Sequence, residues 1–359
     1  MEETVVFHAG ENGIPHMRIP AVVVTTRGTV LAFCEAREGG DRTPTDLVMK
    51  RSLDGGETWQ AMQTVVKAPG RDAIMNPCPV VDASSGTIFL FVQHFPQGTE
   101  SHVRPGFVRT WLTTSADDGA SWSEPVDLTA QVIDPATEYG KATGPGVGIQ
   151  TSDGRLLVPL GFHRADEDGR IAERVSPLGA VICSDDHGAT WYRSGDTPAT
   201  STELHAVALA DGSLRLDMRN QRPEEKPAHC RYFAISRDGG RTWSPRARDP
   251  GLPDVTCQGC MLRYTRQDAG GEKDRILFSN PAAPYRTRVN MTVRLSYDEG
   301  GSWPVSRTIY AGPSAYSCLT VLPDGRIGLL YEHGAHRPDE KISFARFSLA
   351  WLTDGKDRL

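Results

Sequence analysis

Short runs of β-branched and aromatic residues recur along the chain, and turns rich in Gly, Pro, Asp and Asn separate them. The runs 19–26 and 30–33 flank Arg27-Gly-Thr, which is typical of a hairpin, and the run 46–52 follows them. Five further sets of three runs lie at 79–82, 87–93 and 108–114; at 146–150, 155–160 and 179–183; at 204–209, 214–218 and 231–235; at 258–263, 275–278 and 291–295; and at 317–322, 327–332 and 342–348. The pattern predicts an all-β chain built from a repeated unit.

Five of these units end in the same eight-residue phrase, Ser-x-Asp-x-Gly-x-Ser/Thr-Trp, which we call the Asp-box. Its Asp can accept hydrogen bonds from nearby backbone N–H groups, its Gly tolerates a positive φ, and its Trp is a large apolar anchor. The phrase therefore predicts a tight turn that is pinned to a core. The five aspartates are expected to be structural rather than catalytic or metal-binding, and they are Asp54, Asp117, Asp186, Asp238 and Asp298.

Successive Asp-boxes lie 52 to 69 residues apart, and several short strands fit into each interval. Repeats of this kind are typical of β-propeller blades. The sixth unit lacks an Asp-box, and a strand near 5–7 is expected to complete it. We predict an all-β, six-bladed β-propeller with four-stranded antiparallel blades, which occupies 1–359 as a single domain.

Composition narrows the class of protein. The 36 Gly and 25 Pro suit a fold with many turns, and a net charge of -6 argues against nucleic acid as a partner. No apolar run approaches the ~20 residues of a membrane-spanning helix. The first residues lack the basic and then apolar order of a signal peptide, so a cytoplasmic location is expected, or a secreted one if a leader has been removed.

The seven cysteines are scattered, and their number is odd, so they do not form a disulfide framework. Cys257 and Cys260 form a Cys-x-x-Cys motif without a second pair or a nearby His pair, which argues against zinc. No metal and no cofactor are expected.

Arginines lie at strand ends in three segments, where their side chains could point to a common axis. They are Arg18 in Arg-Ile-Pro, Arg219 in Asp-Met-Arg-Asn, and Arg288 in Arg-Val-Asn. Propellers build binding sites on the loops around the central channel, and the long loops here are 37–46, 94–107, 161–178 and 280–289. A site near these arginines is therefore expected.

In this order, Arg18-Ile-Pro, the five Asp-boxes and Tyr316-Ser after a Gly-Pro-Ser turn resemble the exo-α-sialidases of the bacterial secreted and animal cytosolic types. The segments 75–79, 96–100, 142–146 and 202–204 look like that family too, so the resemblance covers essentially the whole chain. It implies a single catalytic domain over 1–359. It also implies a hydrolase that removes terminal sialic acid from oligosaccharides, glycoproteins or glycolipids, without a cofactor.

Sialic acid carries a carboxylate on its anomeric carbon, and guanidinium forks match that group while remaining charged. The resemblance assigns the carboxylate clamp to Arg18, Arg219 and Arg288. Arg286 is the alternative to Arg288, which is preferred because it lies two residues before Asn290, as in the family pattern.

A substrate carboxylate repels an anionic nucleophile, and sialidases use a tyrosine instead. The resemblance assigns this role to Tyr316. Because a free tyrosine has a pKa of about 10, a base must take its proton, and Glu203 matches the family glutamate that does so.

The acid/base residue is expected on the loop 38–45, where Asp41 is preferred and Asp46 is the alternative. Further contacts are expected from Arg37, Glu35 and Glu332, the last of which resembles the family carboxylate that orients the first arginine. The tyrosines that animal enzymes carry on the blade-three loop are replaced here by Gly161-Phe-His-Arg, which leaves Asn76, Glu100 and Gln258 as candidates for the N-acyl and glycerol contacts. Hydrolysis of another ulosonic acid (Kdn or Kdo), or binding without catalysis, remains the alternative.

Overall fold

The computed structural model describes residues 1–96, 107–166, 177–221 and 229–359. Strands dominate this part of the chain: β1 Glu2–His8, β2 His16–Val24, β3 Val30–Arg37, β4 Thr45–Ser52, β5 Gln63–Val66, β6 Ala73–Val81, β7 Ile88–Phe95, β8 Arg109–Ser115, β9 Val126–Asp127, β10 Glu138–Thr143, β11 Ile149–Gln150, β12 Leu156–Arg164, β13 Leu178–Ser184, β14 Tyr192–Arg193, β15 Thr197–Pro198, β16 Leu204–Ala208, β17 Leu214–Met218, β18 Cys230–Ser236, β19 Ala247–Pro253, β20 Cys260–Thr265, β21 Arg275–Pro281, β22 Val289–Ser296, β23 Val305–Val321, β24 Ile327–His333 and β25 Lys341–Phe347. The α-helices are α1 Thr129–Val132 and α2 Leu349–Leu352, and single 3-10 turns lie at Glu11–Gly13 and Gln267–Ala269. The predicted all-β class is confirmed. Within the described ranges, no helix is long and apolar enough to cross a bilayer.

The strands pair almost throughout with their sequence neighbours in antiparallel order. One sheet runs β2-β3-β4-β6-β7-β8-β9 with β5 on β4, and a second runs β10-β12-β13-β14 with β11 and β15 at its sides. The third is β16-β17-β18-β19, and the fourth is β20-β21-β22-β23-β24-β25-β1. The expected strand near 5–7 is β1, which pairs with β25 and so joins the two ends of the chain. The grouping of these strands into six four-stranded blades stays a prediction.

Six strands that each begin a group of antiparallel neighbours contact one another in succession. β2 contacts β6 and β23, β6 also contacts β10, and β16 contacts both β12 and β20. β20 in turn contacts β23. These contacts bring the ends of β2, β6, β10 and β23 to one place, where a cavity opens.

Several predicted strand boundaries are wrong, among them those of the runs 79–82, 146–150 and 317–322. The run 146–150 is a strand only at Ile149–Gln150, and the longer strand of that unit is β10, which lies before it. Gly144-Pro145-Gly146 interrupts this segment, because two of these residues have positive φ and Pro lacks the N–H that a ladder needs. The strand predicted at 317–322 belongs to β23, which starts at Val305 and runs through Pro313.

The five Asp-boxes fold as the sequence predicts. In the second box, Ser115 Oγ donates to Asp117 Oδ1 at 2.8 Å and accepts from the Gly119 backbone N–H at 2.9 Å. Asp117 also accepts from the backbone N–H of Ser121 at 2.9 Å and from its hydroxyl at 2.6 Å. The Trp122 ring packs edge-on against Phe33, with centroids 5.7 Å apart. The boxes are therefore local hydrogen-bonded turns, and the Trp rings of four of them pack against a Phe ring, whereas Trp243 Nε1 donates to the Gly195 carbonyl at 2.9 Å.

Positive φ makes glycine necessary at the centre of the box. Gly56 has a φ of 89°, and a Cβ at this position would collide with the Phe344 ring. A larger residue would thus meet both backbone strain and a clash with the core.

Replacing Asp117 by Ala should lower the thermal unfolding midpoint, because the Ser115 and Ser121 hydroxyls and the Ser121 backbone N–H lose their acceptor. The Ser121 hydrogen bonds hold the pKa of the Asp117 carboxyl at about 2, whereas an unfolded Asp titrates near 3.9. The Asp117 contribution is therefore present above about pH 4 and is lost as the pH falls toward 2. Calorimetry of the wild-type and Asp117→Ala proteins should show a difference in unfolding midpoint that is smaller at pH 2.5 than at pH 7. Glu124→Ala, at an exposed carboxylate beside the same box, is the control. If both variants lowered the unfolding midpoint equally, Asp117 would not stabilise the turn in the proposed way.

Candidate active site

A cavity of about 310 Å³ lies where the ends of several strands meet. Its lining is rich in cations and polar groups: Arg18, Ile19, Arg37, Asp41, Arg42, Met75, Asn76, Phe95, Lys141, Ala142, Thr202, Glu203, Arg219, Gln221, Arg288 and Tyr316. These residues come from β2, β3, β6, β7, β10 and β23, from the segment between β3 and β4, and from the segments beside β16, β17 and β22. Residues that are almost 300 positions apart in sequence thus share one site.

β-Bulges turn four of these strands toward the cavity. The register shifts by one residue between Arg18 and Ala21 in β2, between Met75 and Cys78 in β6, between Gly140 and Ala142 in β10, and between Ser314 and Ser317 in β23. A bulge re-aims side chains that would otherwise alternate across the sheet.

Ile19, beside Arg18, has a φ of 59°, which is rare for a β-branched residue. Its backbone N–H donates to Glu332 Oε1 at 2.7 Å, and this buried contact holds the conformation. The strained backbone of Ile19 is therefore held by Glu332, the same carboxylate that binds Arg18.

Three guanidiniums surround Tyr316. The Arg18 and Arg288 Cζ atoms lie 5.5 and 5.7 Å from the Tyr316 ring centroid, and Arg219 Nη1 donates to the Tyr316 hydroxyl at 3.2 Å. Arg288 is held by a bond from Nη2 to the Thr256 carbonyl at 2.8 Å. A small carboxylate could accept hydrogen bonds from all three arginines at once.

Glu332 is fully buried behind this clamp. It accepts from Arg18 Nε at 2.7 Å and Arg18 Nη2 at 3.2 Å, and also from the backbone N–H groups of Ile19 and Tyr316. The expected orienting contact with Arg18 is present. The same carboxylate also fixes the backbone that carries Tyr316.

Tyr316 and Glu203 form a close hydrogen-bonded pair, in which the phenol donates to Glu203 Oε1 at 2.5 Å. Burial and the Glu203 charge raise the pKa of Tyr316. Burial also acts to raise the pKa of Glu203, but Arg219, whose Nη1 lies 2.5 Å from Oε2, and the bond from Tyr316 bring it below its usual value. At neutral pH the pair is therefore a neutral phenol that donates to a carboxylate.

Asp41 lies at the rim of the cavity with a side chain that is 80% exposed. It accepts from Arg37 Nη1 at 2.6 Å, and Arg37 Nε donates in turn to Glu35 Oε2 at 2.7 Å. Burial acts to raise the pKa of Asp41, but the Arg37 charge and hydrogen bond lower it below the ordinary value. The Glu35 carboxylate also accepts from the Asn76 backbone N–H at 2.7 Å, so it links the Asp41 support to β6.

Comparisons with known proteins agree with this arrangement. The family model of the BNR repeat-like domain matches residues 28–329. A sialidase of Micromonospora viridifaciens is 33% identical over 96% of this chain and 53% of its own length. An exo-alpha-sialidase of Arthroderma benhamiae is 32% identical over 96% of this chain and 86% of its own length. The chain belongs to the sialidase family.

Among solved structures, that of Hadza microbial sialidase Hz136 matches with a TM-score of 0.83 and 28% identity, over 98% of this chain and 69% of that one. The chain spans about half the length of the Micromonospora sialidase. The family resemblance predicted from Arg18-Ile-Pro, the Asp-boxes and Tyr316 is thus confirmed.

Of the residues expected from the sialidase pattern, eight line the cavity: Arg18, Arg37, Asp41, Asn76, Glu203, Arg219, Arg288 and Tyr316. Glu35 and Glu332 lie behind it and act through arginines and backbone N–H groups. Glu100 lies outside the described residues. Of the two alternatives, Asp46 accepts from the Ala68 N–H, and neither Asp46 nor Arg286 lines the cavity.

The structure does not bring Gln258 to the cavity. Its amide donates to the Ser317 and Pro145 carbonyls at 3.0 and 3.2 Å, and its oxygen accepts from the Ser317 N–H at 3.1 Å. Both amide protons of this buried side chain are thus engaged by backbone carbonyls, and Gln258 is not among the residues that line the cavity.

Sequence reasoning missed several lining residues, among them Met75, Phe95, Lys141 and Gln221. Met75 and Lys141 lie next to β-bulges, and the sequence carries no clear signal for the extra residue of a bulge. The sequence signal for them was that Met75 lies in the motif 75–79 and that Lys141 directly precedes the motif 142–146, both of which resemble segments of the family.

Replacing Glu332 by Gln should lower the free energy of unfolding by about 3–5 kcal/mol, because a buried guanidinium loses its countercharge and an amide N–H₂ faces N–H donors. Urea denaturation would measure the change. Glu272→Gln, at an exposed carboxylate, should leave stability nearly unchanged. A Glu332→Gln protein as stable as the parent would show that the buried carboxylate does not hold the clamp.

Proposed function

We propose that this protein is a retaining exo-α-sialidase, which hydrolyses terminal α-linked sialic acid from glycoconjugates through a covalent tyrosyl intermediate. The observation that carries the proposal is the Tyr316–Glu203 pair, held at 2.5 Å among three arginines. The names of relatives that are 32 and 33% identical support the substrate class.

We also propose that the four sheets make up six four-stranded propeller blades. The first strands of the blades would be β2, β6, β10, β16, β20 and β23, and their mutual contacts support this grouping. The Asp-boxes then lie at the outer turns of five blades, and the cavity lies at the central axis.

Substrate binding begins with the carboxylate. Arg18, Arg219 and Arg288 bind this group, so that the anomeric carbon C2 is brought over the Tyr316 hydroxyl. The guanidiniums remain charged at any pH of interest, and their planar forks fix the direction of the carboxylate as well as its position.

Tyrosine suits this site as a nucleophile, because C2 bears a negative carboxylate that would repel an anionic Asp or Glu. As the Tyr316 oxygen attacks C2, its proton moves to Glu203 Oε1, which already accepts the hydrogen bond. The bond from C2 to the leaving oxygen breaks in the same step. Because the pKa of free Tyr316 is raised, the proton transfer must accompany bond formation rather than precede it.

Asp41 supplies the proton for the leaving oxygen. The Arg37 guanidinium lowers the pKa of Asp41, so the free enzyme holds the carboxylate mainly as an anion at neutral pH. A bound substrate adds a carboxylate to the cavity and covers the exposed Asp41, and both changes raise the proton affinity of Asp41.

In the second half-reaction Asp41 takes a proton from water, which attacks C2 while Glu203 returns its proton to the departing Tyr316 oxygen. Two inversions at C2 retain the α configuration.

A panel of aryl α-ketosides tests the activity directly, with N-acetyl, N-glycolyl and deaminated nonulosonic acids and Kdo as the sugars. We expect hydrolysis of at least one of the two N-acylated nonulosonides. Arg288→Lys should reduce kcat/KM by about 10- to 100-fold, because Lys keeps the charge but loses the forked contact. Arg286→Lys is the matched control, since Arg286 is exposed and lies outside the cavity. Hydrolysis of the deaminated sugar or of Kdo alone, or of no sugar on the panel, would overturn the assignment.

A 3-fluoro sialosyl fluoride should label Tyr316, because fluorine slows the breakdown of the glycosyl intermediate more than it slows loss of the fluoride. Peptide mapping by mass spectrometry would locate one added sugar. Tyr316→Phe should abolish the label while still binding a didehydro sialic acid inhibitor through the arginines. Proton NMR of the wild-type reaction should show the α-anomer first. A label on a carboxylate, or first release of the β-anomer, would contradict the mechanism.

A further inference from the structure

A buried carboxylate that the proposed mechanism does not use bonds to the backbone beside two of the clamp arginines. It belongs to Asp254, which lies between β19 and β20 and is 1% exposed. Four donors bond to it: the backbone N–H groups of Asn220, Thr256 and Cys257, and the guanidinium of Arg231. Asp254 therefore joins the segment that follows β17 to the segment that precedes β20.

The first link leads to Arg288 through the peptide between Thr256 and Cys257. The Thr256 carbonyl accepts from Arg288 Nη2 at 2.8 Å, and the Cys257 N–H on the same peptide donates to Asp254 Oδ1 at 3.3 Å. Because a peptide is a rigid planar unit, a carboxylate that binds its N–H also fixes the direction of its carbonyl. Asp254 thus acts on Arg288 through one peptide.

The backbone of Thr256 needs this support. Its φ is 58°, which is rare for a β-branched residue. Asp254 Oδ1 accepts from the Thr256 N–H at 2.6 Å as well as from the Cys257 N–H, so one oxygen binds the N–H groups on both sides of the strained residue. Loss of this acceptor would favour rotation of the peptide and move the Thr256 carbonyl away from Arg288.

The second link leads to Arg219, which directly precedes Asn220. The Asn220 N–H donates to Asp254 Oδ2 at 2.8 Å, and the Arg219 carbonyl on the same peptide accepts from Thr200 Oγ1 at 2.8 Å. Both edges of this peptide are held, so the backbone from which the Arg219 side chain starts is fixed. The two oxygens of Asp254 thus serve two different arginines of the clamp.

Arg231 balances the charge of Asp254. Its Nη1 donates to Asp254 Oδ2 at 3.0 Å, and its Nε donates to Asp217 Oδ2 at 2.6 Å. All three side chains are at most 1% exposed, so each charge depends on its partners. Asp217 shares this ion pair with Asp254, whereas the N–H groups of Asn220 and Cys257 donate to Asp254. Asp217 therefore provides a matched control.

We propose that Asp254 is a positioning residue, which orients Arg219 and Arg288 and thereby sets the affinity of the site for the carboxylate of the substrate. The inference rests on the proposed function, because it takes these arginines to bind that group. Asp254 is not among the residues that line the cavity, so it acts through the two peptides rather than on the ligand. Arg18 is held by Glu332 instead and should not respond to Asp254.

The test compares wild type with Asp254→Asn and Asp217→Asn. The donors around Asp254 are all N–H groups, so the N–H₂ of an amide faces donors in either orientation. Both variants should lower the midpoint of urea unfolding, because each removes a countercharge of Arg231. Only Asp254→Asn should raise KM for an aryl sialoside and Kd for a 2,3-didehydro sialic acid inhibitor, each by about tenfold.

The division between KM and kcat separates positioning from general destabilisation. Partial unfolding lowers the fraction of active molecules and hence kcat, but it leaves KM and the inhibitor Kd unchanged. If Asp254→Asn does not fold, Asp254→Glu replaces it, because it keeps the countercharge of Arg231 while its longer side chain displaces the carboxylate from the backbone N–H groups. It should raise the same two constants.

A double-mutant cycle assigns the effect to particular arginines. In an Arg288→Lys background, the tenfold effect of Asp254→Asn on the inhibitor Kd should shrink to about threefold, because the guanidinium that the Thr256 carbonyl binds is already absent. In an Arg18→Lys background it should remain about tenfold, because Arg18 is supported by Glu332.

A change of less than threefold in both KM and inhibitor Kd overturns the inference, as does an equal change in Asp217→Asn or equal coupling to Arg18 and Arg288. Each of these results leaves the proposed function intact, since wild type still hydrolyses the sialoside. If wild type neither hydrolyses the sialoside nor binds the inhibitor, the proposed function fails. A crystal structure of the ligand-free Asp254 variant then decides the positioning role: a Thr256 carbonyl that has left Arg288 supports it, and an unchanged contact overturns it.

Discussion

The buried Glu332 carboxylate is the contact on which the site depends. It binds the guanidinium of Arg18 and the backbone N–H groups of Ile19 and Tyr316, so one side chain of β24 joins the first arginine of the clamp to the residue proposed as nucleophile. A charge with no exposed surface is stable only when its hydrogen bonds and countercharge are complete. Arg18 and Tyr316, the proposed clamp residue and the proposed nucleophile, are therefore held in place without a ligand.

The same principle explains the other carboxylates around the cavity. Several guanidiniums in a small space repel one another, and each is balanced by a carboxylate or a carbonyl: Arg219 by Glu203, Arg37 by Glu35 and Asp41, and Arg288 by the Thr256 carbonyl. Glu203 and Asp41 also hold the positions that the proposed chemistry requires. The carboxylates that balance these arginines are thus the same ones that the proposed chemistry uses. Because Arg219 and Arg37 lie beside them, the pKa values of Glu203 and Asp41 are below their ordinary values.

The scaffold and the site follow different rules. The Asp-boxes repeat because each is a local turn whose bonds lie within a few residues, as those of Ser115, Asp117 and Ser121 show. The site residues do not repeat, although several of them lie at comparable β-bulges in β2, β6, β10 and β23. A common backbone device thus presents a different side chain from each strand, as with Arg18, Asn76, Lys141 and Tyr316.

The amino-acid sequence by itself determined the all-β class, the Asp-box turns and, through the family resemblance, eight of the sixteen residues that line the cavity. These features depend on local hydrogen bonding or on motifs that can be read within a few positions. Only the tertiary structure decided that Gln258 is hydrogen-bonded to the Pro145 and Ser317 backbone, that Asp41 rather than Asp46 lines the cavity, and that Lys141 also lines it. The physical reason is that the partners of Gln258 lie 59 and 113 positions away in the sequence, and that a one-residue bulge, which no local pattern marks, changes where a side chain points.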